Sequence, residues 1–283
     1  MTELDAGYQI YERTNRTYKL VYDQSIILPG VETWMDAVFW TKWWQRHWHT
    51  TIYISIVYLS LAVLGQHLMK HRPAVHCDRM LMAWNSALAI FSAIGAIRCG
   101  EEVMKSLSTH GFTATICNSC DPSGVCAVWH WYFAMSKLVE LGDTVFIVIR
   151  KRPLQLLHWY HHITVLMYTW HSATEHVGAG RWFIWLNYTV HAFMYTYYAC
   201  RAAGWKLPQM AAVCVTSMQI VQMLVGVYIT YSVYQIKRHT TVPCQQSYRN
   251  LYFAMSIYAS YFLLFLKFFV DVYILNRKKK KVE

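Results

Sequence analysis

Hydrophobic residues along this chain run in long blocks rather than at alternate positions. Seven windows fall at residues 49–69, 80–98, 128–149, 154–174, 182–200, 208–233 and 250–275. Each has about 20 largely apolar residues, the length a helix needs to cross a hydrocarbon core of roughly 30 Å. The pattern predicts an all-α polytopic membrane protein with seven transmembrane helices. Polar residues interrupt the third, fourth and fifth windows. Before the first, residues 34–48 read WMDAVFWTKWWQRHW. Tryptophans interleaved with charges there predict a helix lying in the membrane interface. Residues 1–30 lack the apolar core of a signal peptide. No low-complexity linker divides the chain. It reads as a luminal or interfacial arm over 1–48, a seven-helix membrane domain over 49–275 and a basic cytosolic tail over 276–283.

The polar interruptions are ordered. Ionisable groups at membrane depth cost a few kcal/mol each and face a cavity or a partner. In the third window Lys137, Glu140, Asp143 and Thr144 share one helical face, and in the fourth so do His158, His161 and His162. The fifth carries Asn187, His191 and Tyr195, with Tyr198 on the same side, and the sixth carries Thr216, Gln219 and Gln222. One such stripe alone reads as a polar clasp between helices; four in consecutive spans predict a shared interior site. Counting the helical rise from each span's cytosolic end puts the stripes about 7–17 Å deep. Toward the lumen the same helices turn aromatic and aliphatic at Trp170, Phe183, Trp185, Leu224 and Val227. A polar site with a basic rim and an apolar shaft behind it fits a lipid bearing an anionic head.

Composition agrees: of 283 residues 55% are hydrophobic and only 14% charged, which excludes an ordinary soluble domain. The net charge of +11 raises nucleic acid as a partner, but its distribution argues against one. Lys70, Arg72, Arg79, Arg150, Lys151, Arg152, Arg201, Lys206, Arg277 and Lys278 to Lys281 all fall in short segments on one side. The opposite loops hold Lys105, Arg181, Lys237, Arg238 and Arg249. By the positive-inside rule the amino terminus is luminal and the carboxy terminus cytosolic, although Arg13, Arg16, Lys19, Lys42 and Arg46 in the arm count the other way. Asn15-Arg16-Thr17 is a glycosylation acceptor on the luminal side. Lys280 and Lys281 near the end form a dilysine signal for retrieval to the endoplasmic reticulum. Cys117, Cys120, Cys126 and Cys244 fall in predicted luminal loops, where redox conditions permit disulfides. The pairing expected is Cys117–Cys244, with Cys120 and Cys126 as rival partners. Cys117-x-x-Cys120 also has the spacing of half a zinc site, without a matching half in the sequence.

The stripes KLVELGDT at 137–144, HWYHH at 158–162, NYTVHAFMYTYY at 187–198 and TSMQIVQ at 216–222 together resemble, in order and spacing, the very-long-chain fatty acid elongase family. They are most similar to its branch acting on saturated and monounsaturated acyl-CoAs. The resemblance implies seven transmembrane helices, six forming an inverted-repeat barrel around an acyl tunnel. It implies condensation of a long-chain acyl-CoA with malonyl-CoA to 3-ketoacyl-CoA, CO2 and CoA, without metal or other cofactor. His161 would be the acylated nucleophile, with Asn187, His191 and Lys137 as oxyanion donors. Glu140 and Asp143 would hold Lys137 and orient His158 or His162. Lys151 and Arg152 would meet the CoA phosphates, and Thr144, Tyr195, Tyr198, Gln219 and Gln222 would complete the pocket. Further partners implied are membrane lipid and the 3-ketoacyl-CoA reductase, dehydratase and enoyl reductase of the cycle; a homodimer stays open.

Two other readings compete. A di-iron membrane desaturase or hydroxylase also uses HxxHH, but it needs several such boxes with supporting acceptors, and one exists here. A seven-helix receptor has no use for a Lys-Glu-Asp-His constellation facing the cytosol. A cysteine nucleophile would have to be Cys200 or Cys214, which lie away from the stripes and read as packing. The depth left below the polar site, about 15–20 Å, accommodates a chain of roughly a dozen to sixteen carbons, with Trp170, Phe183 and Trp185 as candidate end walls.

Overall fold

The computed structural model describes residues 19–20, 26–122 and 124–275. Asn15, Lys280 and Lys281, most of the amino-terminal arm and the whole 276–283 tail lie outside the described residues.

A helix covers every apolar window. After a two-residue strand β1 (Lys19–Leu20), α1 spans Ala37–His47, α2 Thr50–Met69 and α3 Asp78–Cys117. Strand β2 (Ser119–Cys120) pairs in parallel with β1. Then come α4 (Val125–Val139), a 3-10 turn (Glu140–Gly142), α5 (Asp143–Ile149), α6 (Leu156–Ala173), α7 (Gly180–Ala202), α8 (Gln209–His239) and α9 (Tyr248–Phe269), closed by a π-helical turn at Val270–Leu275. Four of these stretches, Thr50–Met69, Asp78–Cys117, Gln209–His239 and Tyr248–Leu275, are long and apolar enough to cross a membrane. The third window is cut by the 3-10 turn into helices of 15 and 7 residues, and α6 and α7 carry the histidines and other polar residues of the fourth and fifth windows. The chain is a multi-pass membrane protein.

The helices α3, α7, α8, α9, α6 and α4 follow one another in contact, and α4 returns to α3. Helix α2 packs outside them against α5 and α6. Helix α1 forms where the tryptophan-rich segment predicts one, capped by the Asp36 side chain on Phe39 N–H. Its Thr41 and Trp44 are buried against the rest of the protein, and Trp44 meets Trp170 of α6 edge-on at 4.8 Å.

Helix α3 runs well past its predicted end, broken near its close at Gly111, whose φ of 76° is not helical. The extension carries Glu101 and Glu102, which a hydropathy window rejects. Tertiary pairing stabilises it: Arg181 of α7 meets Glu102 in an ion pair with both side chains fully buried. Arg98 grips Glu32 with Nε and one terminal nitrogen, each 2.7 Å from a carboxylate oxygen. Burial by itself would raise the Glu32 pKa. Hydrogen bonds from Arg98, Trp129 and the Leu28 N–H, together with the Arg98 charge, hold it below the usual carboxylate value.

At the same end three loops are tied to one point. Cys117 and Cys244 form a disulfide across 127 residues of sequence. Gln245 N–H donates to the Cys117 carbonyl (2.8 Å) and Gly178 N–H to the Gln245 carbonyl (2.9 Å). A Cβ on Gly178 would come within 2.6 Å of the Cys117 carbonyl, so only glycine permits this approach. Glu175 then accepts from both the backbone N–H and the hydroxyl of Ser247, the residue that caps α9.

Candidate functional site

The third polar stripe is built on a broken helix. Helix α4 stops at Val139, and the chain tightens into a 3-10 turn at Glu140–Gly142 before α5 resumes. Such tightening inside a long helix marks a site where side chains are re-aimed. Here it sends Glu140 back toward α4 and Asp143 toward α3 and α7. Lys137 Nζ lies 2.8 and 3.1 Å from the two Glu140 oxygens and 2.9 Å from Asn187 Oδ1. An ammonium has three protons, and these contacts use all three. Ser136 adds a hydrogen bond to Glu140 (3.0 Å). Asp143 accepts from Trp84 Nε1 (2.6 Å) and from Tyr195 OH (2.8 Å).

The HWYHH stripe lies in the first turns of α6, with Gln155 as the residue before the helix. His158 Nε2 is 2.8 Å from Thr144 Oγ1, and that hydroxyl is also 2.7 Å from Tyr58 OH of α2. His162 is buried beside His158, with ring centroids 4.4 Å apart, and its Nδ1 has no hydrogen-bond partner among the described residues. The His161 ring rests against Tyr261 of α9 at 4.9 Å, and Tyr261 OH donates to the His161 carbonyl. No side-chain hydrogen bond constrains the His161 imidazole among the described residues.

Two cavities meet at these histidines. One, of about 690 Å³, is lined by His158, His161, His162, Glu140, Asp143, Asn187, His191, Tyr195, Tyr198, Thr216, Gln219 and Gln222, and at its mouth by Arg150, Arg152 and Arg201. The other, of about 140 Å³, is mostly apolar and runs past Phe183, Ile184, Val165 and Tyr168 to Trp40, Thr41, Trp44, His130 and Trp131. His161, Asn187, Gln222 and Met223 line both. Asn187 therefore presents an amide to the junction. Because Lys137 can only donate, it faces Oδ1 and leaves Nδ2 as the available donor.

Four expectations change in detail. Lys137 lines neither cavity, and its ammonium is taken up by Glu140 and Asn187. Thr144 likewise sits behind His158. Lys151 belongs to another structure: with φ of 54° its side chain turns to the Lys70 and Arg72 carbonyls (3.1 and 3.2 Å). There it caps the end of α2, while Arg150 and Arg201 join Arg152 at the cavity mouth. Of the three candidate end walls only Phe183 lines the apolar cavity. Trp170 donates to the Ala134 carbonyl, and Trp185 packs against Gly100 of α3.

Sequence reasoning missed Tyr58, Trp84 and Tyr261, which orient Thr144, Asp143 and His161. Each is an aromatic residue in an apolar span, a pattern shared with lipid-facing anchors, and nothing local separates the two roles. At the far end of the apolar cavity, His176 Nε2 meets Thr41 Oγ1 at 2.8 Å. Burial, and secondarily the charge of His130, pushes its pKa down to about 4.

The chain matches the profile of the family described as ELO: GNS1/SUR4 over residues 43–281. It is similar to a Caenorhabditis elegans protein provisionally named fatty acid elongase 4, at 44% identity over 96% of this chain and 94% of the other. It is also similar to very long chain fatty acid elongase 6 of Drosophila melanogaster (42%; 82% and 75%) and of Rattus norvegicus (41%; 84% and 90%).

Proposed function

The chain belongs to the ELO (GNS1/SUR4) family, and from that membership we propose that it elongates fatty acids as a 3-ketoacyl-CoA synthase, joining a long-chain acyl-CoA to malonyl-CoA. The relatives' names support fatty acid elongation. The observation that carries the finer reading is the junction of a polar chamber and an apolar chamber at His161, Asn187 and Gln222.

The chemistry follows from that junction. Acyl-CoA enters by the mouth lined by Arg150, Arg152 and Arg201, whose guanidinium groups suit phosphates, and its chain threads into the apolar cavity. The His161 ring nitrogen attacks the thioester carbon, and the carbon–sulfur bond breaks. The departing CoA sulfur takes the ring's N–H proton, relayed through the neighbouring imidazoles. Asn187 Nδ2 donates to the oxyanion, held in place by Lys137. Free CoA leaves and malonyl-CoA takes its place. Loss of CO2 leaves an enolate, which attacks the acyl carbon and breaks the carbon–nitrogen bond. One proton from solvent returns to His161, and 3-ketoacyl-CoA departs. Splitting the transfer in this way replaces one difficult condensation with two easier steps.

The same reading includes seven spans, six of them in two inverted three-helix units around the tunnel. It places the protein in the endoplasmic reticulum, with a luminal amino terminus glycosylated at Asn15 and a cytosolic dilysine tail. It also assigns docking with the reductases and dehydratase of the cycle. The test is mass spectrometry of intact enzyme given acyl-CoA alone. One added acyl mass and released CoA are expected, both lost in His161→Ala; CoA release without any acyl adduct would refute the covalent route.

A further inference from the structure

Away from the histidine chamber, a second group of chemically capable side chains stands at the other end of the apolar cavity. Cys99 of α3 and Cys126 and His130 of α4 bring two sulfurs and a ring nitrogen within 4.8 Å of one another. Cys126 and His130 are four residues apart on one helix, so both project from the same face; Cys126 Sγ lies 3.2 Å from His130 Nε2. Cys120 Sγ of β2 lies 3.6 Å from Nδ1 of the same ring and within hydrogen-bond reach of the Cys126 thiol. Cys99 and Cys126 are buried, and Cys99, Cys120 and Cys126 are all outside any disulfide.

We propose that Cys99, Cys126 and His130 bind one zinc ion between α3 and α4, with the fourth tetrahedral position left to a water molecule. Zinc sits about 2.3 Å from sulfur and about 2.0–2.1 Å from imidazole nitrogen, so its ligands stand roughly 3–4 Å apart, and this trio needs only a small closure. Two thiolates cancel the charge of the ion and a neutral imidazole completes the trio, leaving a net-neutral unit that can be buried without an unpaired charge. Thiolate and imidazole donors select zinc over magnesium or calcium. With Nε2 on the metal, Nδ1–H donates to Cys120, the support that ligating histidines usually have. The Cys-x-x-Cys spacing is thus resolved by the fold: Cys117 goes to Cys244, and Cys120 joins donors from α3 and α4. Because Cys120 and His130 also line the apolar cavity, the ion fixes part of that cavity's wall.

The test uses the full chain purified in detergent without chelator. Native mass spectrometry and elemental analysis are expected to find one zinc per chain, retained in His161→Ala and lost in His130→Ala and in the double variant Cys99→Ser/Cys126→Ser. Cys120→Ser, which removes only the ring's supporting partner, is expected to weaken zinc affinity about 10–100-fold without disturbing the fold. Cobalt exchanged into the wild-type chain should give a sulfur-to-cobalt charge-transfer band. The proposal is overturned by any of three results: a wild-type chain free of zinc with its thiols open to alkylation, a disulfide joining any two of Cys99, Cys120 and Cys126, or zinc that survives in His130→Ala. Zinc lost instead with His161→Ala would place the metal at the other histidines and overturn it equally.

Discussion

Trp84 fills the space a side chain on Gly142 would need: a Cβ at Gly142 would stand 2.9 Å from two atoms of the indole ring. The same indole donates its N–H to Asp143 at 2.6 Å, one residue further along the chain. The glycine therefore exists so that a tryptophan from α3 can reach the polar stripe of α5. Gly142→Ala is expected to displace the indole and release Asp143. The cost is about 1–3 kcal/mol of stability, as for other overpacked sites, with activity falling more than the fraction of folded protein does. Thermal melts beside turnover measurements check this; unchanged activity would refute it.

Glu140 and Lys137 form a buried pair, with side chains 4% and 1% exposed. Removing one partner strands the other charge, so Glu140→Ala is expected to destabilise by about 3–5 kcal/mol. The double variant Lys137→Met/Glu140→Leu should recover most of that loss but no activity, because Asn187 loses the contact that orients it. A double-mutant cycle on stability, with condensation assayed in parallel, separates the two effects.

His176 gives the protein a defined acid sensitivity. Its pKa falls from the ordinary imidazole value of 6.5 to about 4 in the fold, so between those values the unfolded chain binds the extra proton. Stability from this residue is complete above pH 6.5 and declines as pH falls toward 4. Melting temperature in detergent should follow that slope, and His176→Asn should flatten it. A slope unchanged by the substitution would assign the acid sensitivity elsewhere.

On the proposed function, chain length is set by the apolar cavity, measured from His161. Each added methylene gains about 0.8 kcal/mol of burial until the end wall is reached, after which overpacking reverses the trend. Palmitoyl-CoA is expected near the optimum. Trp131→Ala, at the far end, should raise the preferred length by at least one two-carbon step, and Ala173→Leu should lower it. Trp185→Ala, outside the cavity, should leave it unchanged. Competition assays with mixed acyl-CoAs check all three, and a best substrate well beyond twenty carbons would overturn the depth argument.

The helices were legible because burial in lipid demands apolar length, and the stripes were legible because ionisable residues at that depth are costly. The residues Glu140, Asp143, Asn187 and His191, read from periodicity, do gather around one cavity with the three histidines. What could not be read depends on contacts between distant segments. The extension of α3 past residue 98 rests on Arg181, which pairs with the buried Glu102, while Glu32 pairs with Arg98 at the end of the predicted window. Lys151 looks like a phosphate ligand by charge alone, yet its left-handed backbone turns it onto the end of α2. Lys137 looks like an oxyanion donor until its three protons are counted.

The knot formed by Cys117, Gly178 and Gln245 has a mechanical meaning. It couples the ends of α3, α6, α7, α8 and α9 on the side away from the arginine-lined mouth, by a covalent bond and two backbone hydrogen bonds. A bundle pinned there behaves as a pair of tweezers: its stiffness is greatest at the pivot, and the same small angular play produces its largest displacement at the free tips. On the proposed function, a slight rotation of whole helices would then admit a bulky nucleotide carrier at the mouth, and the apolar chamber, nearer the pivot, would change least.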